Sequence, residues 1–232
     1  MSDTKLRDLE RRWRGTDAVE DEAAYLLERV KVGDLTRDRL ELAAYCGHKA
    51  AIHTTGQDDE ATVTDLRDWV AGLRTFQPEA PRQATVRLLR AVSTVWQEAF
   101  PSSGHMTSVL DVVSDWTNGK RRVERQVIAH LLVETRTNAN YARMLGLLGG
   151  FHVGAVVSPV LMAIEAESAW TVDHMLSILD SAIAALCCSQ RHSRDEDLVP
   201  PPTEEERQQI SRSILAMLRE ELRTRALSGI AP

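Results

Sequence analysis

Several things are scarce in this chain, and each scarcity excludes something. Aromatic residues make up 5% of the 232 positions, glycine and proline number 12 and 8, and there are three cysteines. Cys46, Cys187 and Cys188 are too few for a disulfide framework. Two adjacent thiols in an apolar stretch suit a reducing compartment. Met1 to Lys5 carries no hydrophobic run, so no secretory signal is read there and the expected location is the cytoplasm. The formal charge of −6 argues against a uniformly basic surface, and no nucleic-acid partner is expected. The one basic cluster, Lys120, Arg121, Arg122 and Arg125, reads as the solvated start of a helix.

Catalytic motifs are missing as well. Neither His-Glu-x-x-His nor the paired Glu-x-x-His repeats of a carboxylate metal bundle occur. The glycines between Gly146 and Gly154 form no Gly-x-Gly-x-x-Gly and precede no Lys-Ser/Thr, which excludes a phosphate cradle. Cys46, His48 and His53 lie close together but match no zinc spacing. No metal and no cofactor are therefore expected. Strands are missing too, because no segment alternates apolar and polar residues with a period of two.

What is present is helical periodicity almost throughout. Leu6, Leu9 and Trp13 share one face, and Asp17 with Glu20 has the spacing of a capping box. Thr36 reads as an N-cap flanked by a Leu35–Leu40 hydrophobic staple. Leu66, Trp69, Val70 and Leu73 recur at helical spacing, and the prolines within 74–81 mark a boundary. Two stripes follow, one from Val86 to Ala99 and one from Met106 to Trp116. A long pattern then runs over Lys120–Leu145 and breaks at a glycine corner. Beyond it lie two apolar segments, Val156–Ala169 and Val172–Cys188. Thr203 and Glu206 repeat the capping-box spacing before a last stripe through Ile210, Ile214, Leu218 and Leu222.

The resulting expectation is an all-α multi-helix bundle of about ten or eleven helices. It divides into an N-terminal helical subdomain (1–75), a central bundle (76–190), a charged proline-rich linker (191–203) and a C-terminal amphipathic helix (204–232). Met144 to Ile164 is uncharged and long enough to span a bilayer. Its four glycines and Pro159, between helices with charged faces, favour a corner inside a soluble core, so no membrane is expected.

Four residues stand out as candidates for a ligand or partner site. His130 and Glu134 lie one turn apart on one helix face, a pairing that fits a general acid or a recognition pair but also a plain solvent-side contact. His152 sits in the glycine corner beside Phe151, where a structural role is the simpler reading. Trp116 is one of five tryptophans on or beside apolar stripes, suited to core packing or to an interface hot spot. None is assigned as catalytic.

Two resemblances add to this reading. Arg39-Leu40-Glu41-Leu42-Ala43-Ala44-Tyr45-Cys46-Gly47-His48 resembles the helix–turn portion of an ankyrin repeat, without its Thr-Pro opening and without a second copy. Val95-Trp96-Gln97-Glu98-Ala99-Phe100-Pro101 is followed by a helix ending Asp115-Trp116-Thr117-Asn118-Gly119, and later by Phe151-His152-Val153-Gly154-Ala155. Together these resemble all-α immunity proteins of bacterial polymorphic-toxin systems over residues 82–190. Ser102-Ser103-Gly104-His105 replaces that family's acidic Arg-Pro turn. The resemblance implies a non-enzymatic helical adaptor whose partner is a toxin, effector or scaffold protein. Two alternatives stay open: an enzyme with an interhelical site near His130, Glu134 and His152, and a homo-oligomer assembled through residues 204–226.

Overall fold

The computed structural model describes residues 2–57, 63–76, 78–119, 124–190 and 201–228. Among these residues the secondary structure is helical, with no strand. In chain order the helices are α1 (Ser2–Thr16), α2 (Val19–Lys31), α3 (Arg37–Tyr45), α4 (Lys49–Thr55), α5 (Leu66–Gly72) and α6 (Glu79–Ala99). They continue as α7 (His105–Thr117), α8 (Arg125–Met144), α9 (Leu148–Glu165), α10 (Val172–Gln190) and α11 (Glu204–Leu227). The chain divides into two compact units, Met1–Thr64 with Ala216–Pro232, and Asp65–Leu215. The last helix is thus shared, its first half counted with the second unit and its second half with the first.

The first unit is built on alanine-rich helices joined by tight turns. Ala23, Leu26, Leu35, Leu40, Ala43, Ala44, Ala50 and Ala51 are buried together with Ala226 of α11. Small side chains let these short helices approach closely, and polar contacts tie their edges. Thr36 caps α3 by accepting from the Arg39 amide at 3.3 Å, and both members of the Leu35–Leu40 staple are buried. The stretch like an ankyrin helix–turn is a helical hairpin of α3 and α4, with His48 Nδ1 capping α4 by accepting from the Ala51 amide at 3.3 Å. The capping box expected at Asp17 does not form. Asp17 has a positive φ of 52°, Ala18 stands at the cap, and Thr16 instead donates its hydroxyl to Asp21 at 2.6 Å.

In the second unit α6, α9 and α10 supply most of the interior. Trp96, Leu88, Leu89, Val157, Val160, Leu161, Met175 and Leu179 are fully buried. The glycine corner is smaller than the sequence suggests. Gly146 turns the chain with a φ of 74°, but Gly149, Gly150 and Gly154 lie inside α9, which starts at Leu148 rather than near Val156. Glycine inside a helix costs about 1 kcal/mol relative to alanine. Close packing offsets that cost here: a Cβ on Gly154 would lie 2.5 Å from Ala139 Cβ of α8, and one on Gly150 3.1 Å from both Ala142 and Ala99. Among the described residues two helices, α9 and residues Val172–Ser189 of α10, are long and apolar enough to cross a membrane by length and composition, and about half of each is buried in the fold.

The division expected within 74–81 is found earlier, between Thr64 and Asp65. The reason lies in α5 and the turn after it. Trp69, Val70 and Leu73 are fully buried, Arg67 pairs with Asp180 of α10 at 2.5 Å, and Arg74 pairs with Asp173. The C-terminal helix begins with the capping box read from sequence, the Glu206 amide donating to Thr203 Oγ1 at 3.2 Å and the Thr203 amide to Glu206 Oε2 at 2.7 Å. Its stripe of Ile210, Ile214, Leu215, Leu218 and Leu222 is buried within the chain. Residues 120–123 and 191–200, which hold most of the basic cluster and of the proline-rich linker, lie outside the described residues.

Candidate functional site

Of the four candidates, His130 and Glu134 do share a face of α8, with His130 Nε2 3.9 Å from Glu134 Oε2. The pair is loose, and the His130 side chain is 79% exposed. A histidine that sequence reasoning passed over lies closer. His105, the first residue of α7, has a fully buried side chain, and its Nδ1 stands 3.1 Å from Glu134 Oε2. The carboxylate lies off the line of the ring N–H, so this is an electrostatic contact rather than a formed hydrogen bond. On the opposite side of the ring, Nε2 meets Thr135 Oγ1 at 2.7 Å. Trp96 packs against the ring with centroids 5.4 Å apart. The only sequence signal for this site was negative: His105 fell in the turn that departs from the resembled family.

Hydroxyl, imidazole and carboxylate in that order form the arrangement of a nucleophile triad. The surroundings prevent that use. Thr135 is completely buried in the middle of α8, and its hydroxyl already donates to the Leu131 carbonyl at 2.7 Å. No reacting group can reach an oxygen so enclosed and so bonded. The group instead ties the start of α7 to the middle of α8 through the His105 Nε2–Thr135 contact, with the buried Nδ1 held only by its electrostatic contact to Glu134.

Trp116 closes α7 and sits in a ladder of rings. It meets Trp170 edge-on at 6.3 Å, and the Arg82 guanidinium lies 5.0 Å from the Trp116 ring centroid. Trp170 stacks on His174 at 4.9 Å and donates its indole N–H to Thr85 Oγ1 at 2.8 Å. Thr85 in turn donates to the Pro81 carbonyl. Every step of the ladder is accounted for by packing of Trp170, just before α10, with α6, α7 and the first turn of α10.

His152 is in another neighbourhood. It follows Phe151 in the second turn of α9, about 200° around the helix from Gly154, the residue packed on α8. Burial lowers its imidazole below the ordinary histidine range, and Arg207 of α11 lowers it further. The four candidates therefore do not converge on one cavity. Comparison with known protein families, characterised proteins and solved structures returns no match.

On the surface, the outer face of α8 and the turn into α9 stand apart. Val133 is 66% exposed, Met144 80%, Leu145 55%, Tyr141 52% and Leu148 45%. At about 100° per residue, Val133, Met144 and Tyr141 fall within about 80° of one another on α8, opposite the buried Leu131, Thr135 and Ala142. Exposed aliphatic residues are ordinary one at a time, but several on one face mark a surface that binds something.

Proposed function

We propose that this protein is a non-enzymatic helical binding module that engages another protein through the outer face of α8 and the α8–α9 turn. The observation that carries this reading is the group of exposed apolar residues Val133, Tyr141 and Met144 on α8 with Leu145 and Leu148 at the turn into α9. Tyrosine and methionine suit such a role, since one offers a large amphipathic ring and the other adapts its shape to a partner. The interior offers no competing use for these residues. His105, the best-placed reactive group, is sealed, and the ring ladder at Trp116 is satisfied by its own neighbours.

The resemblance of residues 82–190 to immunity proteins narrows the reading to an adaptor that neutralises or scaffolds a toxin or effector in a bacterial cytoplasm. The test is capture from the native host by wild-type protein and by Met144→Asp/Leu145→Asp, followed by reconstitution from purified components. A protein that binds the wild type in a fixed ratio and loses at least tenfold in affinity to the variant supports the proposal. Equal binding by both proteins rejects this face as the site.

A further inference from the structure

The charge around this face says what kind of partner it takes. Over the strip itself, Val133 to Leu148, the charges are Glu134, which faces His105 and His130, and Arg136 and Arg143; from Thr135 to Ile164 there is no Asp, Glu or Lys. Both arginines are exposed, on a chain whose overall charge is −6. They lie seven residues apart, so on α8 they fall about 20° from each other, along one edge of the apolar strip. Neither meets a carboxylate among the described residues. Arg136 Nη2 rests 3.6 Å from Met162 Sδ, and the Arg143 guanidinium lies 5.6 Å from the Phe151 ring centroid. Both cations thus lean towards α9 over soft, polarizable groups; Arg136 spends one donor weakly on the Met162 sulfur, and the remaining guanidinium N–H groups are available to an incoming anion.

Resting on the binding role proposed above, we infer that the α8 face takes an acidic protein surface: an apolar ridge flanked by Asp or Glu. The apolar strip supplies the desolvated centre, and the two guanidinium groups at its edge select the sign of the partner and speed its approach. A protein is favoured over a lipid surface because polar Thr137 and Asn140 interrupt the strip and, among the described residues, two arginines flank it. A helix bound in a membrane interface carries many more cations on its polar face.

The probe is a pair of labelled 20-residue amphipathic peptides, one with leucine at i, i+3, i+4 and i+7 among glutamates, the other with lysine in place of glutamate. Fluorescence anisotropy with the full chain should show the acidic peptide binding at least tenfold more tightly than the basic one. Arg136→Glu/Arg143→Glu should reverse that preference, and Met144→Asp/Leu145→Asp should abolish binding of both. All four positions are exposed, and a circular-dichroism melt checks that each variant keeps its fold. Equal affinity for the two peptides, or no reversal by the glutamate pair, overturns the charge inference while leaving the binding role in place. Binding that survives the aspartate pair overturns the role itself. Two further outcomes reject the inference in favour of another occupant: sedimentation with phosphatidylglycerol vesicles that the glutamate pair abolishes, and a concentration-dependent dimer that the same pair dissolves.

Discussion

The two units use the same secondary structure but hold it together differently. In the second unit, helices meet through glycine, alanine and valine. Gly149 faces Val95, Gly150 faces Ala99 and Ala142, and Gly154 faces Ala139. In the first unit, charged side chains do much of the joining. Arg12 pairs with Asp21 at 2.7 Å, Lys5 with Glu28 at 2.8 Å and Arg29 with Asp34 at 2.6 Å. Arginines also reach carbonyls of the last helix, Arg29 the Leu227 oxygen at 2.8 Å and Arg39 the Arg225 oxygen at 2.6 Å. Lone pairs on the last turn of a helix have no partner within it, so guanidinium donors fit them well. Close packing fails when volume changes, whereas ion pairing fails when charge changes. The two units should therefore be broken by different means.

The largest effect is expected in the second unit. Trp96 is completely buried among α6, Phe100 and His105, and Trp96→Ala should cost about 3–5 kcal/mol in urea unfolding. Gly154→Val should come next, at about 1–3 kcal/mol, because its Cβ would collide with Ala139 and drive α8 from α9. If that variant unfolds like the wild type, the close-approach account of the glycines is wrong. In the first unit Arg29→Met keeps the apolar stem but removes the contacts to Asp34 and Leu227, and should cost about 1–3 kcal/mol. Molar salt should weaken the exposed pairs of both units, Arg67–Asp180 and Arg74–Asp173 included, while leaving the glycine contacts untouched.

A smaller and sharper contrast comes from pH. Burial, and then Arg223, lowers His48 below the ordinary histidine range, and burial with Arg207 does the same to His152. A histidine whose folded-state value is depressed binds its proton more readily when unfolded. Stability is therefore full above the unfolded value of about 6.5 and is lost as pH falls from there through the folded value. His48 has a second reason to stay neutral, since its Nδ1 lone pair accepts the Ala51 amide. Glu22 works in the opposite sense. Burial, reinforced by Asp17, raises its carboxyl, so protonation on acidification favours the folded form. His48→Asn keeps a capping acceptor that cannot charge and should reduce the loss of stability between about pH 7 and 5. An unchanged acid profile would show that His48 is not part of it.

The all-helical architecture was legible because amphipathic periodicity and capping chemistry are local. The Thr36 cap and the Thr203–Glu206 box stand as read. The Asp17 box failed because α2 starts one residue later than that spacing requires, with Ala18 at the cap and Asp17 turned out at a positive φ. The start of α9 was missed for a related reason. Gly149, Gly150 and Gly154 read as breakers from propensity alone, and only the facing Ala99, Ala139 and Ala142, distant in sequence, make them helical. His105 was illegible for the same cause, because its partners Glu134 and Thr135 lie about one helix further along the chain. The exposed strip on α8 could not be separated from a core stripe until the buried face of that helix was known.

Hydrogen–deuterium exchange on the reconstituted complex with the captured partner tests the central claim most directly. The account predicts new protection concentrated between Val133 and Leu148, with the amides around His105 unchanged. Protection placed elsewhere, with 133–148 exchanging as in the free protein, would contradict it.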